Sequence, residues 1–298
     1  MMSISKLFAS YEVFTEEPLS RYTTFRVGGL AEVLVKPQNV SELTDICEKC
    51  RANDIPLTIL GDGSNVLVSD NGIRGVVVIT NKMHQVKILD SHCIYAEAGA
   101  RLSKVAETAC VAGLAGLAFA SGIPGTIGGA VYMNAGAFGH DIGEFCESVT
   151  ILQPDGKVVE KLGSEMDFGY RKSFVANSGG VVLSGVFKLS LGETDKIRAE
   201  MKEINAKRKS TQPLEKRSAG STFKRPEGFF AGKLIEDSGL KGYKIGGAKV
   251  SEKHAGFVVA EDGATANDIF LLMEAVKQKV HENFGVWLEP EVRLFGDF

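Results

Sequence analysis

The sequence predicts an α+β fold, because strand patterns and amphipathic helix patterns both recur along it. Three short runs, at residues 31–37, 56–60 and 76–80, are rich in aliphatic and β-branched residues and are bounded by Gly, Pro or Asn, as strands are. Helical apolar stripes lie between the first two runs and again at about 194–208 and 265–285. A chain of 298 residues is long enough for two domains or for one large domain.

The first helix is predicted between the first two strands, which makes a strand–helix–strand unit. Its apolar face consists of Leu43, Ile46, Cys47 and Cys50, spaced i, i+3, i+4 and i+7. The two cysteines also form a C-x-x-C sequence, for which a redox or metal role is one interpretation. We favour the other interpretation, that both are small buried hydrophobic side chains, and we predict no metal site.

The next elements follow in order along the chain. Strand-like sequence at 85–99 leads into a short helix that Gly113 ends, and further strands are predicted at 149–162 and 181–191. The helix at about 194–208 ends in a basic run, and we place a domain boundary near it.

The C-terminal elements carry the clearest local signals. Thr265, with Asp268 three residues later, predicts a capping box for a helix that ends near Gly285. A strand at 287–296 closes the chain. Its alternation places two sets of side chains on opposite faces, with Glu289, Glu291 and Arg293 on one face and Val292 and Leu294 on the other.

Composition excludes several classes of protein. The formal net charge of -3 gives no general attraction to nucleic acid or to an anionic membrane. Five cysteines indicate a reducing compartment, and Glu12, Glu16 and Glu17 interrupt any export signal, so we expect a cytoplasmic protein. The stretch 108–139 has no charged residue, but its glycines and Pro124 argue against a helix that crosses a membrane.

A first glycine loop directly follows the strand at 56–60. A turn of Gly and small polar residues lets backbone N–H groups approach a phosphate, and its members are Gly61, Asp62, Gly63, Ser64 and Asn65. The loop is not a full dinucleotide fingerprint, because Val66 stands where the third glycine belongs and a strand, not a helix, follows. By itself the loop is also typical of a plain hairpin turn.

A second glycine loop strengthens the phosphate interpretation. Residues 122–129 read GIPGTIGG, and their glycines serve either tight backbone packing or a cradle for a pyrophosphate. The candidate cradle residues are Gly122, Ile123, Pro124, Gly125, Thr126, Gly128 and Gly129. An extended dinucleotide held between two such loops explains both of them together.

Six segments carry a specific resemblance over nearly the whole chain. In order and spacing, TTFRVGG (23–29), GDGSN (61–65), GIPGTIGGAVYMNAGAFG (122–139), FGYRKS (168–173), AGSTFKRP (219–226) and LEPEVRL (288–294) resemble the UDP-N-acetylenolpyruvoylglucosamine reductase family. The chain is similar to the shorter type of that family, which lacks an extra loop with a substrate-covering tyrosine.

The resemblance implies the domains and the cofactors. It implies an FAD-binding domain of the vanillyl-alcohol-oxidase (PCMH) type at 1–192, made of two α+β subdomains. It also implies a smaller α+β substrate domain at 193–298, whose last strand returns toward the flavin. FAD is expected to be non-covalent, since neither glycine loop contains His or Cys, and NADPH is the implied reductant.

The resemblance also implies an activity and its residues. The activity is NADPH-dependent reduction of UDP-N-acetylglucosamine enolpyruvate to UDP-N-acetylmuramate, in peptidoglycan precursor biosynthesis. Ser221 is the implied proton donor, with Arg171 and Glu291 as its catalytic companions. Implied to contact the substrate are Tyr170, Arg208 and Lys224, and we add Arg293 because it shares the predicted face with Glu291.

Chemistry supports these assignments, and two of the residues also have an alternative interpretation. A guanidinium suits two-point contact with the substrate carboxylate, whereas Arg171 in a loop salt bridge is the alternative. Without its flanking sequence, Ser221 would be interpreted as a solvent-exposed serine in a loop. Arg225 stands where many family members have asparagine, which suggests an ionic contact instead of an amide contact.

Two other functions stay open at this point. The first is another FAD-dependent oxidoreductase of the same fold, such as a sugar-lactone oxidase. The segments AGSTFKRP and LEPEVRL count against it. A flavin-binding module without turnover is the third candidate.

Overall fold

The computed structural model describes residues 4–298, which form two compact units. Within the described chain, the first unit consists of the residues up to Phe14, Leu34–Asp62 and Val76–Lys207. The second unit consists of Thr15–Val33, Gly63–Gly75 and Arg208–Phe298. Each unit is therefore built from three separate stretches of sequence. The division at 192/193 expected from the resemblance stays a prediction.

Eight α-helices are present in the described chain, and short 3₁₀ turns join several of the elements. The helices are α1 (Ile4–Leu7), α2 (Val40–Ala52), α3 (Leu102–Val111), α4 (Ile127–Met133), α5 (Phe174–Ser178), α6 (Thr194–Thr211), α7 (Ala231–Asp237) and α8 (Ala266–Phe284). The 3₁₀ turns span Leu19–Arg21, Thr80–Lys82, Ala118–Gly122, Ile142–Phe145 and Gly163–Glu165.

Eighteen strands accompany these helices in the described residues, and most of them are short. They are β1 (Glu12–Pro18), β2 (Leu30–Lys36), β3 (Leu57–Leu60), β4 (Val66–Val68), β5 (Ile73–Ile79), β6 (Val86–Ile88), β7 (Cys93–Glu97), β8 (Leu114–Ala115), β9 (Gly136–Ala137), β10 (His140–Asp141), β11 (Cys146–Leu152), β12 (Val158–Leu162), β13 (Val181–Lys188), β14 (Ser190–Leu191), β15 (Lys244–Ile245), β16 (Ala248–Val250), β17 (Val258–Ala260) and β18 (Arg293–Phe295). Helices and strands are mixed throughout, as the predicted α+β class requires.

The strands form a few small sheets. One sheet has the order β1-β2-β5-β3, with β3 and β5 parallel, so β5 lies between the two strands that were predicted to flank α2. An antiparallel sheet of order β12-β11-β13-β7-β6 organises the first unit. In the second unit β15, β16 and β17 form an antiparallel sheet, and β18 pairs in parallel with β4.

Two hydrophobic cores stabilise the two units separately. In the first unit, buried side chains of α3 and α4 pack with those of the five-stranded sheet, such as Phe187, and with Phe119 of the 3₁₀ turn Ala118–Gly122. In the second unit, the apolar face of α8 packs with α7 and with the β15–β17 sheet. Burial of apolar surface at roughly 25 cal/mol per Å² is the main stabilising contribution in cores of this kind.

Helix α8 confirms the local signals of the sequence. Thr265 and Asp268 form the predicted capping box, and Gly285 ends the helix with a left-handed φ of 69°. The carboxylate of Asp70 adds a second cap, because it accepts hydrogen bonds from the backbone N–H groups of Ala266 and Asn267, both at 2.9 Å. A negative charge at a helix N-terminus is stabilising.

The two cysteines of α2 are buried, as favoured from the sequence. Burial raises the pKa of Cys47 to about 12 and that of Cys50 to about 11, so both thiols stay protonated at neutral pH. Across residues 4–298, the helices are all too short or too polar to cross a membrane.

The closing strand is shorter than predicted. Within the described chain, strand structure at this end is confined to Arg293–Phe295, and 289–292 runs beside residues 222–224 through one isolated bridge, Phe223 to Pro290. Pro290 has no N–H to give to a ladder, which interrupts regular pairing. Of the two side chains predicted on the apolar face, Val292 is 2% exposed and Leu294 is 40% exposed.

Candidate active site

The first glycine loop connects β3 to β4, so a strand follows it as predicted. Gly63 has a φ of 60°, and a Cβ there would lie 2.0 Å from the carbonyl oxygen of Tyr22. The backbone of the second unit therefore requires this glycine, whatever the loop binds. Asp62 forms an ion pair with Arg101, with 3.0 Å between Oδ2 and Nε.

The second glycine loop leads into α4 and is held by backbone hydrogen bonds. The N–H groups of Ile127 and Gly128 donate to the carbonyls of Ala100 and Ala98, both at 2.8 Å. Gly125 has a φ of 123°, which side-chain-bearing residues rarely adopt. These contacts fix the shape of the loop before any ligand binds.

The two loops meet at Gly61 and Thr126. A Cβ on Gly61 would lie 2.2 Å from Thr126 Oγ1, so the glycine is needed for the close approach. Thr126 Oγ1 is buried, and it has no hydrogen-bond partner among the described residues. A buried hydroxyl without a partner is destabilising by about 1–3 kcal/mol, which a polar ligand atom would relieve. These residues therefore fit a phosphate-bearing cofactor such as FAD.

The FGYRKS segment forms a tight turn that presents Tyr170 and Arg171. Gly169 and Lys172 exchange backbone hydrogen bonds of 3.2 and 3.1 Å, with the two side chains at the tip. Arg171 has a left-handed φ of 55°, a strained conformation for a residue with a side chain. Its guanidinium carbon lies 5.0 Å from the centre of the Tyr170 ring, and its Nη1 donates to the carbonyl of Asn134 at 3.4 Å.

Asn134 is a site residue that our sequence reasoning missed. It is 2% exposed, ends α4 with a φ of 44°, and donates from Nδ2 to the carbonyl of Gly169 at 3.0 Å. Its Oδ1 accepts the N–H of Gly143 at 2.8 Å. The available signal was the residue type, since Asn tolerates the left-handed conformation at a helix end better than most residues.

Thr222 organises the segment that carries Ser221. It is 1% exposed, and its N–H donates to the carbonyl of Gly256 at 2.8 Å. Its Oγ1 accepts the N–H of Val258 at 2.9 Å, and its carbonyl accepts the N–H of Glu291 at 2.8 Å. Ser221 itself is exposed, next to this buried anchor.

Glu291 lies in the stretch that runs antiparallel to the Ser221 segment. Besides the bond from Glu291 to Thr222, the N–H of Lys224 donates to the carbonyl of Glu289 at 2.9 Å. The second unit therefore brings together the segments of two predicted catalytic residues, Ser221 and Glu291. It also carries Arg293, which is exposed.

Lys224 forms an ion pair with Glu289, and its side chain is 26% exposed. A substrate anion that binds Lys224 has to replace this carboxylate. The predicted contact between Lys224 and the substrate therefore stays a prediction, in which the substrate competes with Glu289 for the ammonium group.

Arg208 lies near the end of α6 and is only 9% exposed. Burial lowers the pKa of its guanidinium, which stays charged at neutral pH all the same. None of the described residues accepts a hydrogen bond from its Nε. A buried cation with an open donor is suited to bind an anion.

Comparisons with known proteins first define the class. A family model described as FAD binding domain matches residues 31–161, the stretch that contains both glycine loops. An alkyldihydroxyacetonephosphate synthase shares the fold over 64% of this chain and 41% of its own, with a TM-score of 0.50 at 14% identity. The family model and the shared fold together define a protein with an FAD-binding domain of mixed α+β structure.

The family follows from closer matches. A model described as UDP-N-acetylenolpyruvoylglucosamine reductase, C-terminal domain, matches residues 212–295. A reductase of that name from Pediococcus pentosaceus is 48% identical over 99% of this chain and 98% of its own, and one from Clostridium novyi is 48% identical over 94% and 91%. The crystal structure of the Thermus caldophilus enzyme covers 96% of this chain and 99% of its own, with a TM-score of 0.81 at 34% identity. The chain belongs to the UDP-N-acetylenolpyruvoylglucosamine reductase family, as its motifs predicted.

Proposed function

We propose that this protein reduces UDP-N-acetylglucosamine enolpyruvate to UDP-N-acetylmuramate with NADPH, in peptidoglycan precursor biosynthesis. The observation that carries the proposal is the match to reductases of this name over nearly the full length of both chains. The sugar-lactone oxidase alternative is not favoured, because the C-terminal match at 212–295 is to the reductase. Five free thiols, all in the described chain, support a reducing, cytoplasmic location.

Both glycine loops are proposed to hold FAD without a covalent bond. Gly61 allows the close approach of Thr126 to the first loop, and Thr126 Oγ1 has an open hydrogen-bonding position for the pyrophosphate. When bound, FAD supplies the two-electron chemistry between NADPH and the substrate double bond. Asp62 is proposed to shape the loop through its ion pair with Arg101.

The catalytic residues are proposed to act on the enolpyruvyl group. Reduction at the terminal vinyl carbon leaves negative charge on the neighbouring carbon, which spreads into the carboxylate as an enediolate. Arg171 binds that carboxylate with its planar fork. Ser221 donates the proton of its hydroxyl to the carbon next to the carboxylate. Glu291 orients the substrate and supports the charge change at Ser221.

The remaining polar residues are proposed to bind the other parts of the substrate. Arg208 and Lys224 neutralise its anionic groups, with Arg293 near the Glu291 segment. Tyr170 lies beside Arg171 and supports its guanidinium through the ring face.

A visible spectrum tests the function directly. The purified protein should be yellow, should bleach with NADPH under anaerobic conditions, and should regain its colour when the UDP-sugar enolpyruvate is added. Bleaching with a sugar lactone substrate instead, followed by recovery in oxygen, would favour the oxidase. Bound flavin that neither NADPH nor the sugar lactone reduces would indicate a flavin-binding module without turnover.

Gly129→Ala should weaken FAD binding without weakening the fold. Outside its own helix backbone and chain neighbours, a Cβ at Gly129 would meet only Thr126 Oγ1, at 4.0 Å, so the methyl group fits without a clash. In α4 the change should raise the free energy of unfolding of the flavin-free protein by up to about 1 kcal/mol. A methyl group in the path of the pyrophosphate should raise the Kd for FAD by about tenfold or more. Flavin titration and thermal melts measure the two effects, and unchanged FAD affinity would place the cradle elsewhere.

Arg208→Gln should raise the KM for the UDP-sugar about tenfold or more, the effect of losing a charged hydrogen bond. Bleaching by NADPH should be unchanged. Since the variant removes a buried charge with an open donor, the free energy of unfolding should hold steady or rise. Arg217→Gln is the matched control, because Arg217 is already paired with Asp262 at 3.0 Å. Equal KM values for the two variants would remove Arg208 from the substrate site.

A further inference from the structure

The peptide of Glu291 is held from both sides. Its N–H donates to the carbonyl of Thr222 at 2.8 Å, on the Ser221 side. Its carbonyl accepts a hydrogen bond from Nδ2 of Asn65 at 3.1 Å, on the other side. These two contacts fix where the Glu291 side chain leaves the backbone.

Asn65 is well placed to give this contact because it starts the pairing of β4 with β18. The N–H of Arg293 donates to the backbone carbonyl of Asn65 at 2.9 Å, and the parallel ladder continues from Arg293 opposite Val66. The side chain of Asn65 therefore adds one more hydrogen bond beyond the end of the ladder.

The Thr222 side is rigid. Thr222 is buried, and its N–H and its Oγ1 are fixed by Gly256 and Val258. Ser221 is bonded covalently to this anchor, and Glu291 is hydrogen-bonded to it. The contact from Asn65 holds the Glu291 peptide from the side opposite this anchor.

We propose that Asn65 is a positioning residue, which holds Glu291 beside Ser221 for the protonation step through the Glu291 backbone. Its amide is therefore committed to the protein, while the cofactor contact of the loop comes from its other residues. This inference rests on the catalytic roles proposed above for Ser221 and Glu291. Asn65, the last residue of GDGSN, then has a role different from the phosphate contact that the loop sequence predicted.

The test compares two asparagines that bond the same two stretches of chain. Asn65→Asp keeps the shape but puts a carboxylate, which has no donor, against the Glu291 carbonyl. Asn71→Asp is the matched control, because Asn71 Nδ2 donates to the carbonyl of Asp297 at 3.4 Å beyond the far end of β18. Asn65→Ala is the second variant at the site.

Both Asn65 variants should retain FAD and bleach with NADPH at the normal rate. Reoxidation by the UDP-sugar enolpyruvate should slow by about tenfold or more, since small misplacements of catalytic groups have effects of up to about 10²-fold. Hydrogen exchange of the Glu291 amide should become faster by a similar factor, and it should not change in Asn71→Asp. Loss of FAD affinity or slower bleaching in the Asn65 variants would overturn the proposal and make Asn65 a flavin ligand.

A double-mutant cycle decides whether Asn65 acts through Glu291. In a Glu291→Gln background, Asn65→Ala should slow reoxidation much less than it does in the wild type. Fully additive losses would overturn the proposal. If Ser221→Ala and Glu291→Gln reoxidise normally, the catalytic roles are wrong, whereas unchanged Glu291 exchange in Asn65→Ala shows that the positioning contact itself is wrong.

Discussion

Ser221→Ala should separate the two halves of the reaction. Bleaching of the bound flavin by NADPH should stay close to the wild-type rate, since the hydroxyl is assigned only to the proton delivered afterwards. Reoxidation by the UDP-sugar enolpyruvate should slow by at least about 10²-fold, the lower end for loss of a positioned general acid. Stopped-flow absorbance measures the two rates separately, and substrate affinity should change little.

The isotope pattern gives a second measurement of the same role. In heavy water the wild type should place solvent deuterium on the carbon next to the carboxylate. Ser238→Ala is the control, because Ser238 Oγ is buried with no hydrogen-bond partner in the described chain. Normal reoxidation in Ser221→Ala, or loss of bleaching by NADPH as well, would contradict the assignment of Ser221 as the acid.

Local signals predicted the elements that depend on local sequence. The cap of α8 was read from Thr265 and Asp268, and its end from Gly285, because capping bonds join residues a few positions apart. The strand after GDGSN was read in the same way. What failed was the length of the last strand, because Pro290 blocks regular pairing and β4, its partner, has only three residues.

The candidate site depends on contacts that local patterns do not encode. Asn65 and Glu291 are 226 positions apart, and Asn134 reaches Gly169 across 35. Nothing in the basic end of α6 distinguishes the buried Arg208 from its exposed neighbours Lys207 and Lys209. The role proposed for Ser221 came from the family resemblance, because a serine in a loop is by itself typical of a solvent-exposed residue.

The division into two units also depends on contacts that local sequence patterns do not encode. Each unit combines three stretches of chain, so residues 15–33 and 63–75 belong with the C-terminal third. Short insertions of one unit into another leave no linker to recognise in the sequence. The first glycine loop is itself divided, with Asp62 in the first unit and Gly63 in the second.

Arg171→Gly should slow the reaction strongly while leaving the fold intact. The left-handed φ of 55° at Arg171 is strained by about 1–2 kcal/mol for a residue with a Cβ, and glycine relieves that strain. Glycine also gives the unfolded chain more freedom, which offsets about 0.5–1 kcal/mol. The free energy of unfolding should therefore change by less than about 1 kcal/mol. Arg26→Gly is the matched control for the stability measurement, because Arg26 also has a left-handed φ, of 57°.

Arg171→Gly should have a large effect on the rate at which the substrate reoxidises the flavin. Without the guanidinium, the substrate carboxylate loses two charged hydrogen bonds of about 1.5–3 kcal/mol each, so reoxidation by the UDP-sugar enolpyruvate should slow by at least about 10²-fold. Arg171→Lys keeps the charge and the strained backbone but loses the planar fork, so its rate should lie between those of wild type and Arg171→Gly. NADPH should bleach all three proteins alike. A wild-type reoxidation rate in Arg171→Gly would show that the carboxylate is bound elsewhere, and a large loss of stability would show that the turn needs the arginine side chain to fold.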